Sequence, residues 1–207
     1  MSDSPRVVDD LPFSQAAENN SGPILEQLRL RLRDVSSVLE VGSGTGQHAV
    51  RFASELPHLI WQPSDHPDAL PHLLPRIRSV QLDNLCDPLP LDIGMHPWPM
   101  DAPDAIYTAN TLHIVSTALC EALFQVCKTQ APAGSLLLVY GPFNYDGRFT
   151  SPSNESFDAW LKARDAASGI RDFEWVNDLA IAAGYELEAD QPMPANNRLL
   201  CWRKALP

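Results

Sequence analysis

Short apolar runs alternate with helix-spaced segments along this 207-residue chain, which predicts the α/β class. The expected architecture is a doubly wound, mostly parallel seven-stranded sheet with an antiparallel C-terminal strand. Two further observations support it. Residues 135–140, Ser-Leu-Leu-Leu-Val-Tyr, are apolar almost throughout, as a central parallel strand covered on both faces requires. A glycine cluster also follows directly on Ser37-Val38-Leu39-Glu40-Val41, where a strand of such a sheet hands over to a helix.

Taken in order, residues 1–22 offer little periodicity. Pro5, Pro12, the Asn19-Asn20 pair and Gly22 predict an arm without regular structure, followed by one domain over 23–207. Pro23 suits the first turn of a helix, and Ile24, Leu25, Leu28 and Leu32 carry helical spacing to about Arg33. After the first strand, Ala49, Phe52, Ala53 and Leu56 fall at i, i+3, i+4 and i+7, in a helix that Pro57 closes. Residues 59–62 form the second strand. Residues 70–77 are helical in spacing, although Pro71 and Pro75 oppose it. A third strand ends near Asp92, and the fourth covers 104–109. Ser116 caps the next helix. Beyond the fifth strand come two helical stretches, around 157–164 and 176–183. The chain closes with strands at 185–190 and 198–202, turned by Asn196-Asn197.

Lys and Arg number 15 against 26 Asp and Glu, a net charge of −11. So acidic a surface repels phosphates, which argues against a nucleic-acid partner and an anionic membrane. No apolar run approaches the roughly 18–20 residues of a bilayer span. The first twenty residues have no apolar signal core and no Arg-rich transit pattern, so a cytoplasmic location is expected. Cys86, Cys120, Cys127 and Cys201 form no CxxC pair, so neither a metal site nor a disulfide framework is expected.

The chemistry concentrates in Glu40-Val41-Gly42-Ser43-Gly44-Thr45-Gly46-Gln47-His48. Glycines permit the tight turn and let a ligand approach the backbone. A dinucleotide loop, G-x-G-x-x-G, would place its third glycine at position 47, which is Gln; here it comes one place early. Glu40, two residues before the first glycine, would repel a pyrophosphate but attract the cationic methionine end of S-adenosylmethionine. Asp65 lies 19 residues after Gly46, at the end of the second strand, where an acid can hold two ribose hydroxyls.

These residues resemble the class I S-adenosylmethionine-dependent methyltransferases, which carry a Rossmann-like fold. Within that superfamily the chain is similar to the small methyltransferase-like 26 family. The resemblance rests on Ala16-Ala17-Glu18-Asn19-Asn20, the glycine turn, Asn110-Thr111-Leu112-His113-Ile114, Tyr140-Gly141-Pro142-Phe143, Ser151-Pro152-Ser153-Asn154, Gly169-Ile170-Arg171-Asp172 and Met193-Pro194-Ala195-Asn196-Asn197. It implies that Glu40, Gly42, Ser43 and Gly44 hold the methionine moiety and Asp65 the ribose. Asp92, with Asp87 as its rival, would meet the adenine amino group, and Ile93 would pack on the ring. Asn110 would stand beside the methyl group and the acceptor. S-adenosylhomocysteine would be the product.

Methyl transfer from a sulfonium needs alignment and a dry site, and a base only when the nucleophile carries a proton. His113 is the candidate base, or else a loop histidine bonded to the backbone. Tyr140 is either a substrate-orienting group or a core tyrosine. Asn144, Arg164 and Asp165 are candidates for a substrate pocket. The arm before the first helix is a candidate lid. The short additions to the core favour a small-molecule acceptor. The competing readings are a cofactor-binding or scaffold module without turnover, and an NAD-dependent oxidoreductase, which Glu40 and the early third glycine oppose.

Overall fold

The structure is a computed structural model that describes residues 11–100 and 103–206. The chain runs α1 (Gln15–Arg31), β1 (Ser37–Val41), α2 (Gln47–Glu55), β2 (Ile60–Asp65), α3 (Leu70–Ile77), β3 (Leu89–Pro90) and β4 (Ala105–Ala109). It continues through α4 (Thr117–Gln130), β5 (Leu136–Asn144), α5 (Pro152–Arg164), β6 (Arg171–Asp172), α6 (Phe173–Ala182), β7 (Tyr185–Met193) and β8 (Asn197–Lys204). The strand order is β3-β2-β1-β4-β5-β8-β7. β1 to β5 pair in parallel, and β8 runs antiparallel to both β5 and β7. These are the seven expected strands, and the two-residue β6 joins the end of β5 as an eighth.

Two apolar layers sandwich the sheet. On one face Ile24 and Leu28 of α1, Phe52 of α2 and Leu73 of α3 pack on Trp61 and Tyr107. On the other, Leu123 and Phe124 of α4 and Val176 of α6 pack on Leu39, Ile106 and Trp202. Phe52 sits edge-on to Trp61 at 5.5 Å and to Tyr107 at 5.9 Å between ring centres. Complete burial of such a side chain contributes about 1.5–3 kcal/mol.

Three expectations need correction. The arm expected over 1–22 is helical from Gln15, and Pro23 lies inside α1 rather than at its start; residues 1–10 of that arm lie outside the described residues. Ser14 is the true cap, its Oγ accepting the Ala17 N–H at 3.3 Å. The polar run after it has poor helix propensity, but tertiary partners override that. Asn20 Oδ1 meets His48 Nε2 at 2.7 Å, and Arg51 donates to the Ser21 hydroxyl. Second, the third strand shrinks to two residues at the sheet edge. Third, the Asn196-Asn197 turn is displaced by one: Ala195 and Asn196 are the left-handed residues, with φ of 57° and 56°.

Candidate functional site

The glycine turn is clamped to the end of β2. The N–H groups of Gly42 and Ser43 both donate to the Ser64 carbonyl, at 3.0 and 2.9 Å. Asp65 then accepts the Gly44 N–H at 2.7 Å on one oxygen and the His66 N–H at 2.8 Å on the other. Gly46 caps α2 at φ 76°, and a Cβ there would come within 2.8 Å of Leu73 Cδ1 on α3. Close packing of α2 on α3 thus explains why the third glycine stands at 46.

Above this turn, at the carboxyl ends of β1 to β4, opens a cleft of about 540 Å³. That size suits a small-molecule ligand, and the position is where doubly wound sheets bind one. Gly42, Ser43 and Gly44 form its floor, Asp65 and Asp92 reach it from successive strand ends, and Ile93 and Asn110 complete the set brought together there. Asp92 is steadied by the Gly94 N–H at 2.8 Å. Its rival Asp87 is exposed and faces Arg78 at 3.8 Å. Asn110 adopts φ 56° and donates its N–H to the Tyr140 carbonyl at 2.8 Å. Leu91, Ile114, Val115 and Leu119 give the cleft an apolar wall.

Glu40, His113 and Tyr140 are not among the lining residues. Glu40 is 2% exposed and sits beneath the turn, accepting the Trp61 indole N–H at 3.0 Å. Burial raises its carboxyl to about 7, against the opposing pull of that indole bond. His113 is 5% exposed and lies edge-on to Phe157 of α5, with ring centres 5.4 Å apart. Burial lowers its imidazole to about 4. The loop after β4 turns so that Ile114, not His113, faces the cleft. Arg171 fixes that turn by donating to the carbonyls of Leu112 and Val115. Tyr140 is buried in the layer under α1, and that burial raises its phenol above the usual range. Arg164 stacks on Trp160 at 4.5 Å and Asp165 caps α5, so both mark a helix end.

Sequence reasoning offered the N-terminal arm as a lid without naming its cleft residues, and it missed the side chains from α2. Ser14 and Ala17 line the cleft, as do Gln47 and His48 from α2. Gln47 grips Ser14 twice, accepting its N–H at 2.6 Å and donating to its carbonyl at 3.3 Å. Arg76 bridges the Thr45 carbonyl at 2.8 Å and the Pro12 carbonyl at 2.6 Å. The signal was Gln47 itself, a bonding side chain where a dinucleotide loop has glycine.

A sheet of this order, a glycine turn after its first strand and an acid ending the second define the fold of the class I S-adenosylmethionine-dependent methyltransferases. Solved structures agree. Mitomycin 7-O-methyltransferase MmcR superposes with a TM-score of 0.78 at 18% identity, over 92% of this chain and 54% of that one. An O-methyltransferase family protein from Burkholderia thailandensis gives 0.77 at 15% identity, over 89% of this chain and 56% of that one. Human N-acetylserotonin methyltransferase, in complex with SAM, gives 0.70 at 16% identity, over 95% and 61%. At these identities the likeness is one of fold. The chain itself belongs to the family described as a protein of unknown function, DUF938, which it matches over residues 11–204. A curated relative, the N-methyltransferase nanE of Aspergillus nanangensis, is 31% identical over 117 residues, 52% of this chain and 27% of nanE. The chain thus spans about a quarter of nanE and little more than half of the three solved proteins.

Proposed function

We propose that the chain is an S-adenosylmethionine-dependent methyltransferase of the methyltransferase-like 26 kind, acting on a small-molecule acceptor and releasing S-adenosylhomocysteine. The observation that carries this reading is the cradle at Gly44. Its φ is 57°, it lines the cleft, and an added Cβ would meet nothing within 4 Å. Backbone is thereby presented to open space, in a cleft shared with Asp65, which ends β2, and Asp92, two residues past β3. Those residues fit the cofactor. Asp65, oriented by two backbone N–H groups, keeps lone pairs for ribose hydroxyls. Asp92 and Ile93 suit an amino-bearing ring, and Gly42 and Ser43 the methionine end. Glu40 acts as a positioning residue that supports the turn from below.

When bound, the cofactor supplies an electrophilic methyl group on a sulfonium. The chain's part is to align the acceptor beside Asn110 and to exclude water with the wall of Leu91, Ile114, Val115 and Leu119. The N-terminal arm belongs to the same reading as a cover, since Ser14 and Ala17 line the cleft. No helix among the described residues is long and apolar enough to cross a membrane, and we place the protein in the cytoplasm without a nucleic-acid partner. The reading of a cofactor-binding module without turnover is favoured by one observation: both side chains considered for proton handling or substrate orientation, His113 and Tyr140, lie outside the cleft. Calorimetric titration with S-adenosylhomocysteine, with NAD as comparator, tests the cofactor: the first binds and the second does not. Methyl transfer to any acceptor then excludes the silent module.

A further inference from the structure

Asn110 directly follows β4, and the side chains near it offer nothing that takes up a proton. Asn110 and Gln47 carry amides, which stay neutral in water. Thr111 Oγ1 accepts the Thr108 hydroxyl at 2.7 Å and donates to the Ala109 carbonyl at 3.3 Å. His48 reaches the cleft, but both its ring nitrogens are engaged behind it. Nε2 meets Asn20 Oδ1 at 2.7 Å, and Nδ1 faces the Tyr107 hydroxyl at 3.5 Å. Burial lowers that imidazole to about 4. His113 and Tyr140 lie outside the cleft. The strand order puts Asp65 two strand spacings from Asn110, roughly 10 Å, and His66 follows it on that far side. There His66 Nδ1 accepts the Asp68 N–H at 3.3 Å.

The charges in the cleft narrow the acceptor further. Among the described residues, the carboxylates of Asp65 and Asp92 line it, and no Lys or Arg does. An anionic acceptor, such as a phenolate or a carboxylate, meets repulsion there. An aliphatic amine is held protonated by the same field, and without a base its lone pair stays blocked. A neutral aromatic ring nitrogen escapes both obstacles, because its lone pair is free near neutral pH. Ile114 and Val115, in the loop after Asn110, give such a ring an apolar bed.

We propose that the acceptor is a neutral heteroaromatic molecule methylated on a ring nitrogen, with no general base taking part. Its lone pair forms the N–C bond as the C–S bond breaks, the bonding pair goes to sulfur, and no proton is released. The positive charge passes from sulfur to nitrogen, so the acidic cleft holds a cation before and after transfer. The inference rests on the methyltransferase reading and adds the class of acceptor. Calorimetry on the full chain tests the charge preference. Sinefungin, with an ammonium in place of the methylsulfonium, binds at least tenfold tighter than S-adenosylhomocysteine. On protein saturated with S-adenosylhomocysteine, 2-methylisoquinolinium binds at least tenfold tighter than its neutral isostere 2-methylnaphthalene. With S-adenosylmethionine, methyl passes to isoquinoline and not to 2-naphthol, and Tyr140→Phe and His113→Gln retain the rate. Equal binding within either pair, transfer to 2-naphthol, or transfer to neither acceptor overturns the proposal. So does a tenfold rate loss in either variant at unchanged S-adenosylhomocysteine affinity. Failure to bind S-adenosylhomocysteine at all removes the proposed function instead, which keeps the two outcomes apart.

Discussion

Glu40 shows how a single carboxyl carries both the sequence signal and a cost. Burial raises it from 4.5 to about 7, so between these pH values the unfolded chain ionises while the folded one stays protonated. Stability from this group is complete below pH 4.5 and is lost as pH rises through 7, by about 3 kcal/mol. His48 and His113, both lowered to about 4 by burial, act oppositely: their contribution is present above 6.5 and lost as pH falls through 4. The Glu40→Gln variant isolates the carboxyl. Its unfolding free energy relative to wild type should rise by about 3 kcal/mol from pH 4.5 to 7, measured in urea. A difference independent of pH would mean the carboxyl is not buried. Asp65→Ala removes hydrogen bonds worth about 1.5–3 kcal/mol each, so S-adenosylhomocysteine affinity should fall at least tenfold. Unchanged affinity would rule out its role at the ribose. Asp65, Asp92 and the glycines were legible because strand ends and turns constrain residue type locally. Tyr140 as a core tyrosine was one of the two readings open in the sequence; the burial of His113 was not legible, because its packing against Phe157 depends on a distant segment.

Elements add what single residues lack. Arg171, beside β5, donates to the carbonyls of Leu112, Val115 and Ala167 and so fixes the loop that walls the cleft. Arg171→Met should speed amide exchange at Ile114 and Val115 and leave β1 unchanged. Uniform acceleration would instead report global destabilisation. α1 depends on Gln47 in the same way. Gln47→Ala frees Ser14, and the cover reading expects severalfold weaker S-adenosylhomocysteine binding by calorimetry; equal affinity would remove α1 from the site. The strands β1 and β5 were visible in the sequence as short apolar runs beside turn residues. The first half of α1 was not, because Asn19, Asn20, Ser21 and Pro23 favour other conformations until Asn20 meets His48 and Ser21 meets Arg51.

At the scale of the molecule, alternation of strands and helices made the sheet readable, and the parallel order put the glycine turn and the acids on one edge. A second cavity, lined in part by Thr150 and residues 192–198, was out of reach of any local pattern, since these meet only once β5, β7 and β8 pair. The central claim is that the cleft over Gly44 holds S-adenosylmethionine. A crystal structure with S-adenosylhomocysteine measures this most directly. The account predicts density in the cleft, with both ribose hydroxyls within hydrogen-bond reach of Asp65 and the purine between Asp92 and Ile93. An empty cleft at saturating ligand, or a ligand seated elsewhere, would contradict it.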